Sequence, residues 1–448
     1  MKTSTLSMML VGVGLPLVAA ANVQYRSSEI VVAGPVTDSS LNVLSYYPKS
    51  NLSIVSVAKG KELDKAKKMR LKGSRAHVNV LVNKFAMPND PYLSYQWNWQ
   101  NIGAYGGWDI STGGTSTVAV LDTGLASGGS DGVGCVVAPY NVYDPMNYPE
   151  DGDGHGTHVS GTIAQSTNNG IGVAGLAYGA CIMPVKVLDD SGSGSMAAIA
   201  EGIYHAVDSG ADVINLSLGV SARYRITSDP ILDPALEYAA SNNVIVIGAS
   251  GNDGSRKNIS YPASHSSVIA VGATDANDQV TRYSNRGDML DLVAPGGDTS
   301  VDSNGDGYAD GILQETKIGG SWGYYFFQGT SMATPHVAAL SAMLISNGTA
   351  STPVDVKAAM QQTAVDLYDT GWDKTSGAGL INVPAALNWQ PGIVNPPPMC
   401  TDADNDGVCV EEGDCDDNNA SVYPDANDTR GKKGRDGIDN DCNGIIDG

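Results

Sequence analysis

Three separate segments of the chain set a reactive side chain among glycines: Val120-Leu121-Asp122-Thr123-Gly124, Gly154-His155-Gly156-Thr157-His158, and Gly329-Thr330-Ser331-Met332-Ala333-Thr334-Pro335-His336. A serine hydroxyl is a weak nucleophile until an imidazole accepts its proton, and the imidazole needs a carboxylate to fix its tautomer and stabilise the imidazolium. All three groups are present, so the chemistry on offer is nucleophilic acyl transfer. Each segment alone has a plainer reading. Asp before Thr-Gly commonly caps a turn, and His155 and His158 lie three residues apart on one helical flank, so spacing leaves open which of them faces a cleft.

Positioning these groups takes a framework, and the hydrophobic pattern between Trp97 and Trp389 supplies one. Strand-length apolar runs fall at Val118 to Leu121, Cys181 to Leu188, Val213 to Leu218, Val244 to Ile247 and Val268 to Val271. Helical patterns fall between and after them, at His158 to Ala164, Met196 to Val207, Pro234 to Ala240, Ser331 to Ile345 and Val354 to Val365. This alternation specifies an α/β fold, a doubly wound parallel sheet with helices on both faces. Asp122 then ends an apolar strand at the carboxyl edge of the sheet, where open α/β proteins put their sites. Ser331 opens a helix, so its hydroxyl and backbone N–H lie in a positive field that favours a developing oxyanion.

In the order Asp, His, Ser, the three segments resemble the motifs of the subtilisin-like serine proteases. The likeness covers residues 87–389 and extends to Asn215-Leu216-Ser217-Leu218-Gly219, Gly248-Ala249-Ser250-Gly251-Asn252, Tyr261-Pro262-Ala263 and Gly377-Ala378-Gly379-Leu380-Ile381-Asn382. The resemblance implies Ser331 as nucleophile, His155 as general acid and base, Asp122 as its orienting carboxylate, and Asn252 as an oxyanion donor beside the Ser331 backbone N–H. His158 and His336 are then structural. Ser217, Leu218 and Gly219 resemble the strand that pairs with an extended peptide through backbone hydrogen bonds, joined at the substrate by Ser250 and Gly251. Ser260 resembles the base of the primary specificity pocket. Broad endopeptidase specificity follows. An esterase is disfavoured because Gly-x-Ser-x-Gly is absent, and an inactive adhesive relative because every catalytic position is filled.

Composition narrows the setting. The 448 residues carry 26 basic and 48 acidic side chains, a net charge of -22, which disfavours nucleic acid and anionic membranes as partners. The 54 glycines and 6% aromatic content suit a turn-rich α/β protein better than a helical bundle. Met1-Lys2, the apolar run Leu6 to Val18 and Ala19-Ala20-Ala21 have the form of a secretory signal over residues 1–21. No run of about 20 uninterrupted apolar residues follows, so no transmembrane segment is expected; the signal leads us to expect a secreted product, and a monomer is expected. Residues 22–85 hold 11 basic and 4 acidic side chains. With the resemblance in view, residues 22–86 become an α+β pro-segment that acts as an intramolecular inhibitor of a catalytic domain over 87–390.

A proline linker over 391–399, with Pro396-Pro397-Pro398 at its centre, separates an acidic module over 400–448. Six cysteines in an exported chain favour disulfides, with Cys135 to Cys181 and two bridges among Cys400, Cys409, Cys415 and Cys442, whose pairing is open. Calcium is the expected structural cofactor. Asp302, Asn304, Asp306, Tyr308 and Asp310 present oxygens at alternate positions around Gly307, as in the first part of an EF-hand loop, with Leu313 where the loop's closing Glu would stand. In the tail, Asp402, Asp404 and Asp406, and then Asp439, Asp441, Asn443 and Asp447, repeat the theme, and the module resembles thrombospondin type 3 calcium repeats. The absence of histidine there argues against copper or zinc. The resemblance to subtilases adds Asp90, Asp144 and Asn169 as a further calcium set.

Overall fold

The computed structural model describes residues 3, 4, 25–36, 38, 40–72, 74–80 and 87–391. The acidic tail with its four cysteines and two acidic motifs, the linker beyond Pro391 and most of the signal lie outside the described residues.

Seven parallel strands make the central sheet in the spatial order Leu292–Pro295, Val268–Thr274, Ile245–Ala249, Val213–Leu216, Thr117–Asp122, Cys181–Lys186 and Tyr140–Asn141. The strand Thr117–Asp122 shows why the pattern reads as unbroken hydrophobic runs. Val118 and Val120 enter one core layer while Ala119 and Leu121 enter the other, so both faces are dry. On the first face pack the helices His155–Ala164, Thr330–Asn347, Pro353–Gln361 and Val383–Leu387; on the second, Met196–Asp208 and Asp233–Ser241. Ser195 caps the helix Met196–Asp208 by accepting a hydrogen bond from Ala198 N–H at 3.1 Å. This is the doubly wound α/β architecture that the sequence pattern specifies.

The helix Thr330–Asn347 is buried without interruption from Met332 to Leu344. It is buried on every side rather than on one stripe, with Thr334, His336 and Ser341 among its mostly apolar residues, as befits a helix running through a core. Pro335 sits inside it and has no N–H to offer the carbonyl of Ser331, four residues back. That carbonyl accepts the Ser217 hydroxyl instead, at 2.8 Å. A local break in the helix ladder thus ties the start of this helix to the end of the strand Val213–Leu216.

Several elements depart from the pattern-based expectation. The first-face helix begins at His155 rather than His158, and the last expected helix, Val354 to Val365, spans Pro353–Gln361. An antiparallel hairpin, Ile312–Ile318 with Ser321–Phe327, has no counterpart in the expected elements. Its turn is Gly319-Gly320, both at positive φ, a strong hairpin signal that the acidic loop before it overshadows.

The N-terminal module is α+β, as expected. Tyr25–Ala33 pairs with Leu52–Ser56, Ala76–Val80 and Thr3–Ser4, and Asn42–Tyr47 adds an edge. With the helix Glu62–Leu71 these strands enclose Ile30, Val32, Val55, Ala66 and Ala76. Cys135 and Cys181 are disulfide-bonded, with Cα atoms 4.6 Å apart. Among the described residues no helix is long and apolar enough to cross a membrane.

Candidate active site

Asp122 closes its strand at the carboxyl edge and is fully buried. Its Oδ1 accepts hydrogen bonds from Thr123 N–H and from His155 Nδ1–H, each at 2.7 Å. Occupation of Nδ1 as donor leaves Nε2 as the basic nitrogen of the neutral ring. Burial alone lowers the basicity of His155, but the charge and hydrogen bond of Asp122, helped by Asp153 and Asp151, outweigh it and hold its pKa above 6.5.

The turn into the His155 helix is built by Asp151. Its Oδ1 accepts Gly154 N–H at 2.8 Å, while its Oδ2 accepts Thr157 N–H at 2.9 Å and Thr157 Oγ at 2.6 Å, satisfying donors that a helix start leaves open. Gly156 permits the close approach to the strand. A Cβ there would lie 2.4 Å from Gly124 O and 3.1 Å from Cβ of Asp122.

His158 and His336 face elsewhere. His158 Nε2 lies 3.0 Å from Ile312 O and 3.1 Å from Tyr325 O, and the ring stacks on Phe327 with centroids 4.3 Å apart. Burial pushes its pKa down to about 3. His336 Nδ1–H donates to Met332 O at 2.8 Å and Nε2 accepts from Asn98 at 2.9 Å, with burial holding the pKa at about 4. Both rings are neutral structural groups, and His155 alone of the three faces the cleft.

Ser331 lies in the first turn of its helix and lines a cleft of about 670 Å³ with His155, Asn252, Ser217, Leu218, Gly219, Gly251 and Ser260. In this rotamer its hydroxyl donates to Ser217 O at 3.1 Å rather than to His155. Asn252 is oriented by Thr330, whose N–H and hydroxyl donate to Asn252 Oδ1 at 2.9 and 3.0 Å. With the oxygen so held, the amide N–H₂ of Asn252 is the end left for a ligand. Thr330, unflagged by sequence reasoning, therefore positions the Asn252 side chain, and its place one residue before Ser331 is the signal that could have found it.

Leu218 and Gly219 continue beyond the strand Val213–Leu216 as an extended segment on one wall of the cleft. Gly192, Ser193 and Gly194 line it as well, and sequence reasoning missed them although Gly-Ser-Gly is a fitting composition for close backbone approach. Ser250 differs from expectation. It is wholly buried and donates to Asn285 O at 3.1 Å, while Ala249 and Gly251 on either side of it line the cleft. Gly251 beside it is at φ +97°, and a Cβ would meet Ser260 Oγ at 2.1 Å.

The expected calcium set Asp90, Asp144 and Asn169 is brought together only in part. Asp90 accepts Asn168 N–H at 2.8 Å and Asn169 N–H at 3.3 Å, and Asn169 Nδ2 donates to Asp131 at 2.8 Å. Asp144 instead accepts from Asn147 in an exposed turn, and the third member of the cluster is Asp131. Burial, with the like charges of Glu315 and Asp90 adding to it against hydrogen bonds from Val173 and Asn169, pushes the Asp131 carboxyl up to about 6. In the 302–310 loop, Asp302 and Asp306 accept loop amides, while Asp310 accepts Ser303 N–H at 2.7 Å and keeps its Oδ1 buried without a partner. Among the described residues no three His, Cys, Asp or Glu side chains gather closely enough to hold a metal by themselves.

Residues 113–379 match the Subtilase family. Thermitase of Thermoactinomyces vulgaris is 38% identical over 309 residues, covering 69% of this chain and 97% of thermitase. A thermophilic serine proteinase of Bacillus sp. (strain AK1) is 37% identical over 333 residues, covering 74% and 75% of the two chains. A solved protease structure from Pseudoalteromonas arctica PAMC 21717 superposes with a TM-score of 0.61 at 31% identity, covering 67% of this chain and 99% of that one. A parallel sheet whose carboxyl edge carries Asp122, with His155 and Ser331 at helix starts in one cleft, and a match over residues 113–379 lead to one conclusion: this chain belongs to the subtilase family.

Proposed function

We propose that the chain is a secreted serine endopeptidase of broad specificity that works through an acyl-enzyme on Ser331. The observation that carries this reading is the 2.7 Å His155–Asp122 hydrogen bond, facing the same cleft as Ser331 and the oriented Asn252. On substrate binding the Ser331 hydroxyl turns from Ser217 O toward His155. Oγ attacks the peptide carbonyl carbon as its proton passes to His155 Nε2, and the oxyanion is received by Asn252 Nδ2 and the Ser331 N–H. Collapse breaks the C–N bond, and Nε2 delivers the proton to the departing amine. Water then attacks the ester, gives a proton to Nε2 and releases the carboxylic acid, and the proton returns to Ser331. The extended segments at Ser217–Gly219 and Gly192–Gly194 bind the peptide backbone, which reads shape more than sequence.

Maturation follows the same reading: export through residues 1–21, then release of the basic module 22–86, which has its own small core and a charge opposite to that of the remaining chain. Calcium would be held by Asp90, Asp131 and Asn169 with nearby backbone oxygens, and by the 302–310 loop, where the buried and unpartnered Asp310 oxygen fits a cation. Its contribution is structural. The test of the enzymatic reading is stoichiometric labelling of Ser331 by an organophosphonate, together with loss of peptide hydrolysis in Ser331→Ala. Hydrolysis that survives the substitution would refute it.

A further inference from the structure

One buried charge at the carboxyl edge of the sheet has no part in the reaction. Lys186 closes the strand Cys181–Lys186 in register with Asp122 on the neighbouring strand, and its side chain is only 9% exposed. An ammonium taken out of water destabilises a fold unless its donors are matched. Two partners match it here. Lys186 Nζ donates to the carbonyl oxygen of Thr123 and to Asp190 Oδ1, the second at 2.7 Å. The rest of the strand, Cys-Ile-Met-Pro-Val, is apolar, so packing alone does not call for a lysine at its end.

Thr123 is the residue through which Asp122 is aimed. Its N–H donates to Asp122 Oδ1 at 2.7 Å, and its Oγ accepts Gly156 N–H, one residue past His155, at 2.9 Å. Among the described residues no donor reaches Asp122 Oδ2, so the carboxylate is oriented by the Thr123 amide and by His155 itself. Asp190 acts at the other turn. Its carboxyl group lies against Gly152, where a Cβ would come within 2.4 Å of Asp190 Cγ and Oδ2. Gly152 follows Asp151, the residue that builds the turn into the His155 helix. One ammonium thus grips the turn that leaves Asp122 and, through Asp190, the turn that enters His155. The substrate wall is secured separately, because Asp189 Oδ1 accepts the Ser191 and Ser193 amides at 2.9 and 3.1 Å.

We propose that Lys186 is a positioning residue for the chemical step: with Asp190 it clamps the turn after Asp122 to the turn before His155, and so keeps carboxylate and imidazole in register while the proton moves. The inference rests on the peptidase reading. Lys186 does not line the cleft, so its loss slows turnover and leaves substrate binding nearly untouched.

The experiment measures steady-state hydrolysis of one chromogenic peptide by the processed enzyme, with active sites counted by organophosphonate titration so that unfolded molecules do not enter kcat. In Lys186→Met, which keeps the stem and removes the charge, kcat per titrated site falls about tenfold, less than the hundredfold that a 1 Å misplacement can cost, while KM stays within about twofold. The low-field proton resonance of His155 Nδ1–H, which reports the bond to Asp122, shifts upfield or broadens in the same variant. Asp190→Ala, at a side chain 66% exposed, tests the second arm without emptying the core and lowers kcat about threefold, the scale of one partly exposed ion pair. Parental kcat per titrated site in either variant overturns the proposal, as does a parental proton resonance in Lys186→Met; a lower Tm alone would make the lysine purely structural. Should Lys186→Met fail to fold, Asp190→Ala decides. Failure of the peptidase reading looks different: the parental chain cleaves no peptide and Ser331 is not labelled.

Discussion

The division of labour among three histidines is decided by partners, not by spacing. His155 has a carboxylate at 2.7 Å, while His158 and His336 have carbonyls and an amide, and are buried as neutral rings. In the proposed mechanism His155 takes the serine proton only when neutral, and its pKa is raised, so kcat/KM is expected to climb with pH through a midpoint above 6.5. A pH–rate profile measures this, and a midpoint below 6.5 would contradict the assignment of Asp122. Asn252→Ala is expected to lower kcat by about 10²–10³ with little change in KM, the size of loss established for such a donor in subtilisin; steady-state kinetics checks the split. The glycine-flanked Asp122, His155 and Ser331 were legible as candidates because their residue types and order are specific. Asp131 and Thr330 were not, since an Asp in a glycine-rich loop and a Thr before a Ser carry no signal until folding brings them to Asn169 and Asn252.

At the scale of elements, the strand ending in Asp122 and the helix starting at His155 meet across two glycines, and the meeting leaves no room for a methyl group. Gly156→Ala places a Cβ 2.4 Å from Gly124 O, so helix and strand must part. The expected result is a stability loss of about 1–3 kcal/mol, typical of overpacking, with a fall in kcat because Asp122 and His155 separate. Urea unfolding and kinetics on the same preparation test it; unchanged values in both would show that the contact relaxes at no cost. The sheet was readable from its apolar runs, because strands buried on both faces leave continuous hydrophobic stretches. The hairpin Ile312–Phe327 was harder to see. Its first strand, Ile312–Ile318, has polar side chains at Gln314, Glu315 and Thr316 that are nonetheless buried, Glu315 by accepting Ser130 and Asp131 amides at 2.9 Å.

Over the whole molecule, negative charge is the main liability, with 48 acidic against 26 basic side chains. Buried Asp90, Asp131 and Asp310 concentrate it where solvent cannot help. Calcium that binds only the folded chain is expected to add about 2.7 kcal/mol at a hundredfold excess over its dissociation constant. Calorimetry of the Ser331→Ala chain, which removes self-digestion, should show a lower Tm in chelator; equal melting temperatures would argue against both proposed sites. A different consequence comes from the deeply buried helix that begins with Thr330 and Ser331. Buried from Met332 to Leu344, it is a spindle around which the body is assembled. Such a nucleophile has no frayed or half-loosened condition in which to linger. Heat should leave each molecule either fully competent or wholly lost, so that surviving catalysis and surviving tryptophan signal fade along one curve, and durability in use is set by the rate at which the entire body comes apart.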